Sequence, residues 1–90
     1  MKYLIISFKS RNSVMRFANI MRKNNLFASI INTPKSIYSS CGLSIRTEFR
    51  NLHSITSLLQ NLDCQDLIGV YAITRKGLYE KIEKFYWYKV

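Results

Sequence analysis

The feature that most constrains the fold of this 90-residue chain is the alternation of short apolar runs with segments of helical periodicity. Four runs are rich in β-branched and aromatic residues or alternate in polarity, and each predicts a strand. They lie at residues 2–8, 26–31, 43–48 and 67–74. Two segments between them repeat apolar side chains at spacings of three and four, which is typical of amphipathic helices. These predicted helices cover residues 14–21 and 52–62.

The resulting element order, β-α-β-β-α-β, predicts an α+β fold. We expect a ferredoxin-like βαββαβ sandwich, in which two helices cover one face of a four-stranded antiparallel sheet. A chain of this length makes a single domain. The domain covers residues 1–90, with its core at residues 2–74 and a C-terminal extension at residues 75–90.

The C-terminal extension fits two structures. A turn at residues 76–77 followed by a strand over residues 78–83 makes a hairpin, which is the preferred interpretation. Alternatively, Leu78, Ile82 and Phe85 have the spacing of a short helix. The aromatic run Phe-Tyr-Trp-Tyr that follows is too apolar to be left in water. We therefore expect it to dock on the domain or on a second copy, and the second arrangement would make a homodimer.

Composition narrows the class of partner and the compartment. The formal net charge is +9, which favours anionic partners. No apolar run reaches the roughly 18 residues needed to span a bilayer, so we expect no membrane association. Residues 1–10 lack the long apolar stretch of a signal peptide, which predicts a cytoplasmic protein. Two cysteines and one histidine, His53, are too few for a disulfide framework or a structural zinc site, so no metal is expected.

One segment concentrates the residues that can carry chemistry. It reads Thr-Pro-Lys-Ser-Ile-Tyr-Ser-Ser-Cys-Gly-Leu at residues 33–43 and joins the second and third predicted strands. Its thiol, Cys41, is a candidate nucleophile, because the thiolate is the reactive form and a free cysteine has a pKa near ~8.5. Loop N–H groups, hydroxyls and nearby cations would each favour the thiolate. The candidate supporting residues are Thr33, Pro34, Lys35, Ser36, Ser39, Ser40, Gly42 and Arg46.

Other roles are open for the reactive side chains. Cys41 can instead be a small buried filler, as free cysteines often are. Cys64 lies in an acidic turn that disfavours its thiolate, so we interpret it as a passive thiol, with a resolving role toward Cys41 as the lesser alternative. Nothing in the sequence orients His53, which we interpret as a surface residue.

The motif and its surroundings resemble a family of small bacterial proteins. Residues 33–46 are similar to that family's pattern of Thr-Pro-Arg, a short spacer, Ser-Ser-Cys-Gly and an alternating apolar strand with a basic residue. The family was formerly a domain of unknown function, DUF3343, and is now described as putative Se/S carrier protein-like. The resemblance covers residues 2–74. Lys35 stands where the family usually has arginine, which keeps the charge but loses the planar fork.

This resemblance implies a function for Cys41. It would be the carrier thiol of a sulfur or selenium carrier protein, which accepts a persulfide or selenopersulfide and passes it to an acceptor protein. A cysteine desulfurase is an example of the donor. Such a carrier requires no cofactor. No general base stands beside Cys41 in the sequence, which suits a carrier better than an enzyme.

The alternative is a non-enzymatic binding or regulatory domain with an incidental cysteine. A basic ferredoxin-like domain can bind RNA or another anionic ligand. The first and third predicted strands, at residues 2–8 and 43–48, lack the aromatic-glycine signature of the RNA-binding module that has this shape. Nucleic acid is therefore the less favoured partner.

Overall fold

In the computed structural model, the described residues are 1–35, 37, 42–61 and 66–85. Within these ranges the chain forms five strands and two α-helices, with a 3₁₀ turn at Phe49–Asn51. In chain order the elements are β1 (Lys2–Phe8), α1 (Arg11–Lys23), β2 (Ser29–Asn32), β3 (Leu43–Glu48), α2 (Leu52–Gln60), β4 (Leu67–Lys76) and β5 (Tyr79–Phe85).

The strands form one antiparallel sheet in the order β2-β3-β1-β4-β5. The predicted β-α-β-β-α-β order is present in the first four strands and two helices. The prediction of a four-stranded sheet is wrong, because the C-terminal extension adds a fifth strand to the described part of the chain. Of the two structures that this extension fits, the hairpin is confirmed through Phe85. Its turn contains Gly77, whose φ of 60° lies in the left-handed region that favours glycine.

Helix α1 contains the predicted segment 14–21 and extends beyond it at both ends, to Arg11 and Lys23. The Ser10 Oγ accepts a hydrogen bond from the Asn12 N–H at 3.1 Å, which caps the first turn. At the other end Asn25 takes the left-handed conformation, with φ of 62°, and the chain leaves the helix. Strand β2 starts later than predicted, since the Leu26 N–H still bonds to the Met21 carbonyl at the helix end.

Both helices pack on the same face of the sheet, here called the helix face. Its core is a single apolar cluster, in which α1 contributes four buried residues and α2 contributes two. The sheet side of this cluster includes Leu4, Ile6, Ile45, Val70 and Ala72. None of the helices in the described ranges is long and apolar enough to cross a membrane.

The opposite side of the sheet, here called the outer face, is also covered at its centre. Ile5, Tyr71 and Ile73 form a second buried cluster there, and only 8% of the Tyr71 surface is exposed. Ile37, from the connection between β2 and β3, packs against this cluster. The connection that carries the sequence motif is therefore anchored on the outer face.

Candidate functional site

The β2–β3 connection is closed at its base by a backbone hydrogen bond. The Thr33 N–H donates to the Gly42 carbonyl at 2.9 Å, one step beyond the last strand pair, Asn32 with Leu43. The connection therefore leaves the sheet after Thr33 and rejoins it at Gly42, directly opposite. The motif residues Ser36, Ser39, Ser40 and Cys41, like Cys64, lie outside the described residues, so their roles stay predictions.

The first part of the motif forms a turn. The Ile37 N–H donates to the Pro34 carbonyl at 3.0 Å, and the Ile37 side chain contributes to the apolar cluster on the outer face. Lys35, inside this turn, is exposed. Lys35, the predicted cation of the motif, is thus exposed to solvent near the base of the connection, while Ile37 packs on the apolar cluster.

A chain of three hydroxyl groups runs from the middle of the sheet to this base. The Ser7 Oγ and Ser44 Oγ lie 2.8 Å apart, and the Ser44 Oγ and Thr33 Oγ1 lie 2.6 Å apart. Ser7 and Ser44 face each other across β1 and β3 and are both fully buried, whereas Thr33 is half-buried. The chain therefore links a fully buried position to the point where the motif begins.

Which hydroxyl donates in each of these two hydrogen bonds follows from the cost of burying a hydroxyl hydrogen that has no acceptor. Three hydroxyls carry three hydrogens, and two hydrogen bonds use two of them. An unsatisfied donor is more costly at a fully buried position than near solvent. The order in which Ser7 donates to Ser44 and Ser44 donates to Thr33 is therefore favoured. It leaves the Thr33 O–H as a donor at the base of the connection.

Gly42 adjoins this donor and follows Cys41 in the chain. A Cβ at Gly42 would lie 3.7 Å from the Thr33 Oγ1, which is an ordinary van der Waals contact. The position beside the Thr33 hydroxyl is therefore close to the candidate carrier residue along the chain, and it is not crowded by the described atoms.

Arg46 lies on the same face of β3 as Ser44, further from the motif. Its guanidinium carbon is 4.2 Å from the centroid of the Tyr3 ring, and its Nη2 is 3.8 Å from the Met1 Sδ. Arg46 is four positions after Gly42, a distance of about 13 Å along the strand. Its predicted role as a supporting charge for Cys41 is untested, and the side-chain contacts described for it are with Met1 and Tyr3.

Sequence reasoning missed Ser7 and Ser44 as members of the site. Each is a serine inside a strand, and nothing in either strand indicates that the two meet. Only the antiparallel register of β1 with β3 brings them together. His53 is exposed on α2. Within the described ranges, no group of three or more His, Cys, Asp or Glu side chains could hold a metal ion.

Fold and site together define a small α+β protein in which a hydroxyl-rich segment joins two neighbouring antiparallel strands. The chain belongs to the family described as Putative Se/S carrier protein-like, whose model matches residues 2–79. The match includes β1 through β4 and the whole motif, and it confirms the resemblance noted from the sequence. Neither the curated proteins nor the solved structures that were searched contain a match to this chain.

Proposed function

We propose that this protein carries sulfur or selenium as a persulfide or selenopersulfide on Cys41. The observation that carries the proposal is the family match over residues 2–79, which contains the complete Ser-Ser-Cys-Gly motif. The described geometry supports it, because the segment that bears Cys41 starts and ends at one closed position beside a hydroxyl donor. A cytoplasmic location fits this chemistry, since cytosolic thiols are kept reduced.

The proposed transfer conserves atoms and electrons. The Cys41 thiolate attacks the terminal sulfur of a cysteine persulfide on the donor protein, and a new S–S bond forms. The bond between that sulfur and the donor cysteine breaks, and the donor leaves as a thiolate that keeps the electron pair. An acceptor thiolate then attacks the terminal sulfur of the Cys41 persulfide and forms a new S–S bond with it. The bond to the Cys41 Sγ breaks, and Cys41 is released as a thiolate. Selenium follows the same steps from a selenopersulfide.

The described residues supply what the charged intermediates need. The Thr33 O–H can donate to an anion at the base of the connection, and Lys35 adds an exposed positive charge. Gly42 adds no side chain next to the carrier residue. A cysteine desulfurase is the proposed class of donor, and the acceptor is a second protein with a thiol.

The second candidate is a basic binding domain for RNA or another anionic ligand, with the ferredoxin-like shape that the first four strands suggest. The net charge of +9 favours it. Base stacking on the sheet does not, because Tyr71 is buried and the Tyr3 ring is covered by Arg46. A homodimer stays a proposal, since most of the aromatic run on which it rests lies outside the described residues.

Alkylation kinetics test whether Cys41 is activated. We expect iodoacetamide at neutral pH to modify Cys41 at least about tenfold faster than Cys64, because a thiolate is the nucleophile. Mass spectrometry of the digested protein assigns each modified site, and Cys64 is the internal control in the same chain. Equal rates at the two cysteines, or a faster Cys64, would contradict the proposal.

A further inference from the structure

A groove lies at one end of the sheet, where the start of β1, the residues before β2 and the end of β3 meet. Its volume is about 410 Å³, within the range of ligand-binding clefts. Its lining includes Met1, Tyr3, Phe27, Ser29, Arg46 and Glu48. Aromatic and thioether side chains therefore surround one guanidinium group.

Arg46 contacts an aromatic ring and lacks an acidic partner among the described residues. Its guanidinium carbon lies 4.2 Å from the centroid of the Tyr3 ring, which is a cation–π contact. Its hydrogen bond is to the Met1 Sδ at 3.8 Å, and a thioether is a weak acceptor. Since the group is half-buried, it has given up part of its hydration without gaining a carboxylate in return.

The glutamates of the chain are engaged elsewhere. Glu48, at the rim of the groove, pairs with Arg50 at 2.9 Å. Glu80 pairs with Arg75 at 2.6 Å, and Glu83 pairs with Lys81 at 3.8 Å. Among the described residues, no carboxylate pairs with Arg46, whose planar fork matches the geometry of a carboxylate.

The apolar wall of the groove is exposed and held in place. Phe27 has 60% of its surface exposed and Met1 has 76%, although both are large and apolar. The Phe27 carbonyl accepts a hydrogen bond from the Thr47 Oγ1 at 2.6 Å, which fixes its backbone against β3. Aromatic residues, methionine and arginine are enriched in protein interfaces relative to the rest of the surface.

We propose that this groove docks an acidic segment of a partner protein. One aspartate or glutamate carboxylate of the segment binds Arg46, and a neighbouring apolar side chain packs against Phe27 and Met1. A single guanidinium suits one carboxylate, whereas a nucleic acid backbone is bound by several cations. The second cation in the lining of the groove is Lys2, whose ammonium lies 4.1 Å from the centroid of the Phe49 ring.

We infer that this partner is the donor or the acceptor of the transferred atom, and this inference rests on the proposed function. The binding of an acidic segment at the groove does not depend on that function. The groove lies about 13 Å along β3 from Gly42, so one bound protein can contact Arg46 and the motif together. Docking by a carboxylate away from the reacting sulfur would let the carrier recognise its partner before transfer.

Fluorescence anisotropy with a fluorescein-labelled Glu-Phe-Glu-Phe-Glu peptide tests the docking. The protein is used as the full chain with Cys41→Ser, so that oxidation of this thiol does not interfere. We expect Arg46→Gln to weaken binding roughly tenfold or more, since it removes a charge-assisted bidentate contact. The Gln-Phe-Gln-Phe-Gln peptide should bind the groove without the Arg46 substitution about as weakly as the acidic peptide binds Arg46→Gln. Phe27→Ala should also weaken binding of the acidic peptide.

The matched control is Arg16→Gln, which removes the same charge from the exposed side of α1, on the opposite face of the sheet. We expect it to change affinity by less than about twofold, because exposed charges that far away are screened by salt. Arg46→Lys keeps the charge without the planar fork and should still weaken binding. Thermal unfolding of each variant checks that the domain is folded.

Three results would overturn the docking inference. They are no binding of the acidic peptide, an equal loss with Arg16→Gln and Arg46→Gln, or displacement of the peptide by oligothymidylate more readily than by unlabelled peptide. Uptake of sulfur from glutathione persulfide is measured separately on the unsubstituted protein. Failed uptake with intact peptide binding would refute the carrier function alone, and the reverse pattern would refute the groove alone.

Discussion

Thr33 belongs to two hydrogen-bonded systems at once. Its backbone N–H closes the β2–β3 connection, and its hydroxyl ends the chain that begins at Ser7. If this hydroxyl supports the Cys41 thiolate, Thr33→Val should slow alkylation of Cys41 by roughly three- to tenfold, because valine has the same shape and no donor. Thr33→Ser should restore the rate. Iodoacetamide kinetics measure both variants.

The rate at Cys64 is the internal control for these variants, and it should not change. A Thr33→Val protein that alkylates at the original rate would remove Thr33 from the site. A loss that Thr33→Ser fails to restore would assign the effect to packing of the methyl group, not to the hydroxyl.

Ser7 and Ser44 give a prediction about stability. Ser44→Ala leaves the buried Ser7 hydroxyl without its partner and should cost about 1–3 kcal/mol in the free energy of unfolding. The double variant Ser7→Ala/Ser44→Ala should cost less than the sum of the single variants, because no orphaned hydroxyl is left between them. Urea unfolding measures these energies, and Ser57→Ala on exposed α2 surface is the control. Strict additivity would contradict the account.

At the scale of elements, the β4–β5 hairpin depends on the backbone conformation of its turn. Gly77 has φ of 60°, and a Cβ there would meet no atom within 4 Å, so any cost of a side chain comes from the backbone. Gly77→Ala should therefore lower the free energy of unfolding by about 1 kcal/mol. Gly77→Asn should cost less, as Asn25 already adopts φ of 62°.

Gly42→Ala is the matched control for the turn. The same methyl group at Gly42 would make a contact of 3.7 Å with Thr33, and Gly42 is not among the positive-φ residues. We expect its free energy of unfolding to change by less than about 0.5 kcal/mol. If Gly77→Ala were as well tolerated as Gly42→Ala, the turn would not be the constraint that we describe.

Local pattern in the sequence predicts the first four strands and both helices, and the reason is visible in the fold. Alternation over β3 puts Ile45 on the helix face and Arg46 on the outer face, and the apolar spacing of α1 matches its buried side. The choice between hairpin and helix after Gly77 needed more than local pattern. It is decided by contacts between β4 and β5, such as Ile73 with Ile82 and Arg75 with Glu80. These contacts are not visible in the spacing of residues within either segment.

In the candidate site too, some features could be predicted from local sequence and others could not. The motif at residues 33–43 is readable from the sequence, because its residue types are unusual together. The Ser7–Ser44 pair and the stacking of Arg46 on Tyr3 were not readable, since each requires the register of β1 with β3. The same alternation assigns Ser44 and Arg46 to one face without showing that one is fully buried and the other covers an aromatic ring.

At the scale of the whole molecule, the net charge of +9 should steer an acidic donor protein to the carrier. Transfer from a cysteine desulfurase should slow roughly tenfold as ionic strength rises from about 0.01 M to about 0.15 M, because salt shortens the range of the field. Mass spectrometry of samples quenched at successive times measures the rate of transfer. Alkylation by uncharged iodoacetamide is the control and should change little, and equal salt dependence of the two reactions would argue against steering.

Intact-mass spectrometry shows whether Cys41 takes up a sulfur or selenium atom. The reduced protein is incubated with a cysteine desulfurase and L-cysteine, or with a selenium donor, and weighed before and after treatment with a thiol reductant. We expect a mass gain of one sulfur or selenium atom that is removed by reduction. The gain should be retained in Cys64→Ser and abolished in Cys41→Ser. A gain that persists in Cys41→Ser, or no gain from either donor, would contradict the proposed carrier function.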